Sequence, residues 1–400
     1  MRKWLLIGAF ALLAVGIVRL YPAKDASLLP LSRQTEKQGA PDSLGQAPAG
    51  SPVLNPPQET STDQKNSPGD VSQDAPLVGD TLPSFDSPAA ASAPAASAKE
   101  SAAPSLFEIS LGMAESEVRK RLGKPAREEP SSLGYQWLIY NQNPARYLQV
   151  GIMNGKVVDL YSNAAEVRLG QVGIGTSLTT LSRQYDLQSV VSFTIERANV
   201  KITNQKDSRP LVIQNGIPRI FYLDQQNGDK VTGIRLIDTL VLMRGGYYET
   251  RWTYQGETPQ FDPPPLNIKQ QEQVNLAREK QVLDLVNAIR YRYKLPTIEW
   301  NEQAAQVARG HSRDMLQHDF FDHVSATTGM DPFARLRKAG LSYSMAGENI
   351  AAGYPDSIEA HESWMNSPGH RKNVMEKNFS HLGVGVVADY YTQAFLTPIQ

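Results

Sequence analysis

The chain is 400 residues long, 40% apolar and 20% charged, with a formal charge of -1 and no cysteine. Near-balanced charge creates no overall field to draw in nucleic acid, which excludes that partner from the first reading. The missing cysteines rule out disulfides, thiolate nucleophiles and Cys-ligated zinc, so the folded parts must hold together by packing.

At the amino terminus Arg2 and Lys3 precede an apolar run from Trp4 to Val18, the charge-then-apolar order of an export signal. The run falls short of the roughly 20 residues of a comfortable membrane helix. The following "YPAKDAS" has no clear small-x-small cleavage site, so residues 1–22 read as an uncleaved anchor in preference to a removed signal peptide. From 23 to 105 the composition turns to Pro, Ala, Ser, Gly, Gln and Asp with almost nothing aromatic to bury. As a flexible coil, about 80 such residues span roughly 50 Å, a tether long enough to hold a globular part off a membrane.

Folded sequence begins near Phe107. In "LGMAESEVRKRLGKP", Val118 and Leu122 are four apart, Gly123 stands in the stop position and Pro125 just beyond, which predicts a short helix. "YLQVGIMNGKVVDLY" alternates around Asn154-Gly155 and predicts a tight hairpin. Gly175, Leu181 and Tyr185 then repeat the spacing of Gly112, Val118 and Leu122, and a second hairpin is expected at Asn227-Gly228. Residues 106–254 thus read as a degenerate duplication of helix and hairpin units, with a proline-broken linker at 255–275.

All six histidines lie in the last 90 residues. Val282, Leu285, Val286 and Ile289 form one helical stripe. Asn301 can cap a helix whose face carries Ala304, Val307, Ala308, His311 and Met315, and His311 reads there as a core residue bonded to a backbone carbonyl. Asp331, Pro332 and Gly340 bracket a helix with Phe333 and Leu336 inward. After Asp356 another helix carries Ile358, His361 and Met365, with His361 expected at the surface or half-buried. "HLGVGVVADYYTQAFL" closes the chain as two strands, so the overall class is α+β.

"NAIRYRYKLPTIEWNEQAAQVARGHSRDM", "FFDHVS", "GENIAAG", "WMNSPGHRKNVM", "LGVGVV" and "YYTQAF" stand in the order and at about the spacing of the bacterial CAP superfamily. Glu279 to Leu396 therefore resembles that group, the cysteine-rich secretory, antigen-5 and pathogenesis-related proteins with SCP-like extracellular domains. Phe107 to Thr253 resembles the CAP-associated amino-terminal domain. The resemblance implies a three-layer α-β-α sandwich (the CAP fold) at 276–400 behind a separate α+β domain. It also implies a cleft where His323 of the "FxH" loop meets Glu348 of "GEN", with His370 of "SPGHR" as a third member. Two positions depart from the family's pattern: Tyr390 stands where a second histidine precedes "YTQ", and Ser367 where a second acid follows Trp364. The implied ligand-binding cleft is therefore His323, Glu348, His370 and Tyr390, and the four-residue metal cage is in doubt.

Zinc is the cofactor to weigh, with His323, Glu348 and His370 as its ligands. Zinc catalysis needs typically three protein ligands and an open position, and if these three bind metal no base is left. His323 and Glu348 are the candidates for any catalytic role, yet their spacing of 25 residues carries no metal signature of its own. Ser325 and Ser367 lack a strand-turn-helix nucleophile context. The competing reading of His323 and Glu348 is a hydrogen-bonded pair that locks a loop to the sheet. In "SPGHR", Ser367 and Pro368 can end one helix while Gly369 turns the chain and His370 and Arg371 bond carbonyls. The favoured function is an exported, membrane-tethered, cell-surface or extracellular protein whose cleft binds an envelope lipid, peptide or glycan without fast turnover. The alternatives are a metal-dependent hydrolase or peptidase of the envelope and a structural module that holds a protein partner.

Overall fold

The computed structural model describes residues 103–399 together with the backbone of Ala14–Ile17. The expected tether up to residue 102, and the amino-terminal apolar run apart from those four residues, lie outside the described residues. Ala14–Ile17 is a strand antiparallel to Thr250–Tyr254. Among the described residues no helix is long and apolar enough to cross a membrane.

The first module is built on a seven-stranded antiparallel sheet. Its spatial order is Leu211–Gln214, Ile217–Asp224, Lys230–Ile237, Lys156–Ser162, Leu148–Met153, Gln136–Tyr140 and Arg127–Pro130. The first hairpin turns at Asn154 and Gly155, with φ of 52° and 71°, the left-handed pair that matches the twist of the flanking strands. The second hairpin is present but longer, because a 3-10 turn, Gln225–Asn227, precedes Gly228.

Helices α1 (Glu115–Leu122) and α2 (Leu178–Gln184) open in the same way. Gly112 and Gly175, at φ 78° and 86°, donate their N–H to the carbonyls of Val157 and Val231. Those valines donate back to Met113 and Thr176, and Val118 and Leu181 are fully buried beneath. One hydrogen-bond pattern thus occurs twice on one sheet, as a duplicated unit requires. A second sheet, Val190–Ile195, Ala198–Thr203 and Thr250–Tyr254 with Ala14–Ile17, and α3 (Thr239–Gly245) complete this module; neither was read from the sequence.

The second module starts with α4 (Ile268–Arg292), which begins inside the expected linker because Asn267 and Gln270 cap it reciprocally. Its sheet has the order Glu299–Trp300, His381–Val387, Tyr390–Pro398 and Tyr343–Ala352, with only the first pair parallel. Residues alternate across it. Leu382, Val384, Val386, Tyr391 and Phe395 pack with Val282, Val286 and Ile289 of α4 and Trp364 of α7 (Ser357–Asn366). Ala394 and Leu396 pack on the opposite face with Ala304 and Ala308 of α5 (Glu302–His318) and Leu336 of α6 (Pro332–Lys338). The result is the expected α-β-α sandwich. Helix α5 lies so close to the sheet that a β-carbon at Gly383 or Gly385 would run into the backbone of Ala305 or Arg309, which is why "LGVGVV" carries glycine at both positions.

One feature was not expected from the sequence. Leu285 and Ala288 of α4 and Ile358 of α7 join the core of the first module, while Val282, Val286 and Ile289 join that of the second. The two sheets share one helical layer, so its helices are covered on both sides. This corrects the reading of His361, which is fully buried. Its Nε2 lies 3.5 Å from Asn163 Nδ2 of the first module, and burial, aided by the Arg292 and Arg371 cations, drives its pKa down to about 3. Two further corrections are local. Phe333 is exposed, since α6 reaches the core through Leu336. Helix α7 does end at Ser367, but Gly369 does not turn the chain: Pro368 opens a new helix, α8 (Pro368–Met375), with Gly369 inside it.

Polar groups close the shared layer. Fully buried Arg235 grips Asp159 through Nε and Nη2 at 2.9 and 2.6 Å and donates from Nη1 to Asp356 at 2.9 Å. Asp356 also caps α7 by accepting the N–H of Glu359. Arg371 of α8 binds both oxygens of Asp224 at 2.9 and 3.0 Å, and Asn141 donates to Asp284 of α4 at 2.7 Å. The Arg235–Asp356, Arg371–Asp224 and Asn141–Asp284 contacts each link one module to the other.

Candidate functional site

Glu348 lies on the edge strand Tyr343–Ala352, opposite Ala394, and so faces the α5 side of the sheet. His323 reaches it from the loop after α5. That helix is capped by Asn301, which accepts from the Ala304 N–H at 2.8 Å, and it ends at Asp319, whose φ of 51° turns the chain away. The loop is then pinned from beneath. Buried His311 meets the carbonyl of Asp322 through Nε2 at 2.9 Å, which makes that nitrogen the N–H donor, the core role its apolar stripe predicts. Ser325 and Thr327 close the loop's far end by donating to the two oxygens of Asp314 at 2.6 and 2.8 Å. Ser325 is thereby a loop staple, and among the described residues no histidine is its hydrogen-bond partner.

His323 Nδ1 lies 2.9 Å from Glu348 Oε1. The other oxygen, Oε2, accepts from Arg335 Nη2 at 2.6 Å. Arg335 also donates from Nη1 to the carbonyls of His323 and Met330 at 2.7 and 2.9 Å, so one guanidinium holds both the acid and the loop that carries the imidazole. It is set in place by α6, which Asp331 caps and Pro332 opens. The side chain of Glu348 is only 5% exposed, whereas that of His323 is 34% exposed. The imidazole is the accessible member of the set.

The neighbours of Glu348 in "GEN" serve the opposite face. Asn349 accepts from Asn373 and donates to Gln393 Oε1 at 2.9 Å and to the carbonyl of His370 at 3.1 Å. A β-carbon at Gly347 would meet Asn373 and Phe379 at 2.9 and 3.0 Å. The backbone of His370 is thus fixed on the side of the strand away from the Glu348 carboxylate. Tyr390 pairs with Ala352, four residues along the sheet from the Ala394 that faces Glu348, or about 13 Å at strand spacing. It is half-buried, and burial, with Asp389 and Asp319 adding, raises its phenol pKa. The residues at hand do not fit a metal ion. Both oxygens of Glu348 are committed, one to a cation, and among the described residues no three of His, Asp and Glu converge as a ligand set.

Sequence reasoning missed Arg335. It stands among other basic residues in "FARLRK", and nothing in that helix pattern separates it from Arg337 or Lys338. Only the fold does so, by bringing α6 over the edge strand.

Two family models match the chain. The CAP-associated N-terminal model covers residues 111–248 and the cysteine-rich secretory protein family, CAP, covers residues 283–397. The chain is 34% identical over 289 residues to the uncharacterized membrane protein YlbC of Bacillus subtilis, a match spanning 72% of this chain and 82% of that one. It is 43% identical over 122 residues to the uncharacterized protein YkwD of the same organism, spanning 30% of this chain and 47% of the relative. Among solved structures, an extracellular protein containing an SCP domain from Bacillus anthracis superposes with a TM-score of 0.67 at 32% identity, over 72% of this chain and 93% of that one. A cysteine-rich secretory protein from Staphylococcus aureus gives a TM-score of 0.62 at 19% identity over 72% and 91%, a likeness of fold alone.

Proposed function

Because the chain belongs to the cysteine-rich secretory protein family, with the CAP-associated module ahead of its CAP domain, we propose that it is an exported, membrane-tethered protein whose His323–Glu348 cleft binds an envelope ligand without fast turnover. The observation that carries this reading is the state of Glu348. A general base needs an oxygen that can reach a substrate proton, and here His323 takes one oxygen and Arg335 the other. A carboxylate held in that way orients the imidazole, and the imidazole offers a polar edge at an accessible surface. The tether and anchor are supported by the amino-terminal sequence and by the relative named as a membrane protein, and insertion requires Ala14–Ile17 to leave its pairing with Thr250–Tyr254.

The test uses the full chain, solubilised in detergent, and isolated bacterial envelopes, intact or stripped of lipid. Wild-type protein is expected to sediment with envelopes, and His323→Ala to lose that while keeping its thermal transition. Retention on stripped envelopes would point to a peptide or glycan, and its loss to a lipid. Stoichiometric zinc that disappears in His323→Ala, or hydrolysis of envelope material that disappears in Glu348→Gln, would overturn the reading.

A further inference from the structure

The second sheet of the first module ends in the strand Thr250–Tyr254, which pairs with Ala198–Ile202 on its inner side and with Ala14–Ile17 on its outer side, both antiparallel. Among the described residues no other strand reaches that outer side. An uncovered edge strand offers a row of N–H and C=O groups to any extended segment, and proteins commonly blunt such edges with proline, bulges or charge. "TRWTY" contains no proline, keeps its register with both neighbours and, apart from Arg251, consists of β-branched and aromatic residues. It is built to receive a strand.

The segment seated there suits it. Gly16 stands opposite Trp252 and Ala14 opposite Tyr254, so the two smallest residues of the segment pair with two aromatic ones that pack against the first module's core. Val15 and Ile17 stand opposite Thr253 and Arg251, and the side chain of Arg251 is 77% exposed. The same four residues belong to the apolar run from Trp4 to Val18. A flexible coil of about 80 residues spans roughly 50 Å, so the run can reach the edge of its own chain. It cannot serve both ends at once. In hydrocarbon the backbone groups of a spanning segment must be satisfied within the membrane, and the same groups are needed to pair with Thr250–Tyr254.

We propose that the outer edge of Thr250–Tyr254 is a docking site for the chain's own amino-terminal run, which pairs there as a strand while it is out of the membrane and vacates the edge on insertion. The exchange rests on the anchor reading given under Proposed function. Docking covers an edge that would otherwise recruit other chains. Insertion bares it, so the anchored protein presents a strand-binding edge that the free protein does not.

The absence of cysteine makes the exchange measurable, since a disulfide can form only between introduced thiols. Val15→Cys/Thr253→Cys joins directly paired positions, within the reach of a disulfide. Val15→Cys/Thr194→Cys is the control, because Thr194 lies in the same row three strands away, or about 14 Å. The full chain is oxidised in buffer without detergent and again after reconstitution into vesicles of phosphatidylethanolamine and phosphatidylglycerol, with flotation to score insertion. An intramolecular disulfide well above the control is expected in buffer, with a yield about tenfold lower in floated vesicles. In the cysteine-free chain, hydrogen exchange over Thr250–Tyr254 should be about tenfold faster in vesicles than in buffer. If the chain floats and the paired thiols join no better than the control in buffer, or equally well in both states, the docking proposal falls and the anchor stands. If the disulfide forms in buffer and the chain does not float, the anchor reading falls and takes the exchange with it. A disulfide that forms only between chains would overturn the proposal in favour of pairing with a second copy.

Discussion

Glu348 and Glu362 are two nearly buried carboxylates of one domain with opposite surroundings. Glu348 faces an arginine and an imidazole at a partly exposed rim. Glu362 lies in the shared helical layer, where Tyr161 of the first module donates to its Oε1 at 2.5 Å and Oε2 has no partner among the described residues. Burial raises its pKa to about 7 against the lowering pull of Tyr161, Arg292 and Arg371. The same side chain thus serves two ends. At the rim charge partners hold it so that a neighbour can stay exposed, while in the layer dehydration favours the proton and joins two modules. The layer is built to stay shut, and the rim to remain open on one side.

The largest effect that can break this contrast is expected from Arg235→Ala. It leaves Asp159 and Asp356 buried with no counter-charge, a loss of about 3–5 kcal/mol. Urea unfolding followed by hydrogen exchange should show both modules losing protection together, because α4 and α7 belong to both cores. If the first module alone opened, or if the loss were no greater than that of a rim variant, the shared layer would not be the unit of stability.

Glu362→Gln tests the layer by its proton. The unfolded carboxyl titrates near 4.5 and the folded one near 7. Between these values the unfolded chain has released a proton that the folded chain keeps, so stability falls as pH rises from 4.5 to 7 and is level above, a total of about 3 kcal/mol. The other groups facing it, Tyr161, Asp224, Arg292 and Arg371, remain in the variant. Glutamine keeps an acceptor for Tyr161 and cannot ionise. The variant should match the wild type at pH 5, exceed it at pH 8, and have a flatter profile of unfolding midpoint against pH. An unchanged profile would place the titration elsewhere.

The sequence made one side of this contrast legible and hid the other. His323 and Glu348 were found because they sit in motifs whose order marks the family, and His311 because a histidine on an apolar stripe has few other roles. The repeated helix and hairpin units showed through Gly112 and Gly175, whose left-handed φ restricts residue choice. His361 was misread because helical periodicity reports that a face is apolar but not that a second sheet covers the polar one. Glu359 and Glu362 look like solvent-facing residues of α7, yet both are buried against the first module. Their partners Tyr161 and Tyr222 lie 201 and 137 residues away, beyond any local pattern. Arg335 escaped for the same reason.

The rim should respond in two smaller steps. Glu348→Ala strips Arg335 of its carboxylate at a site where that arginine is only 10% exposed, a loss of about 2 kcal/mol. His323→Ala removes a partner that is one-third exposed, so water takes up much of the lost interaction and about 1 kcal/mol or less is expected. Arg335 keeps its hold on Glu348 and on the backbone carbonyls of residues 323 and 330, so the loop stays in place. A thermal transition within a few degrees of the wild type, together with lost envelope binding, would mean that His323 serves recognition and Arg335 holds the frame. If His323→Ala instead destabilised the chain as much as Glu348→Ala, the imidazole would be part of that frame, and the rim would differ from the layer in exposure only.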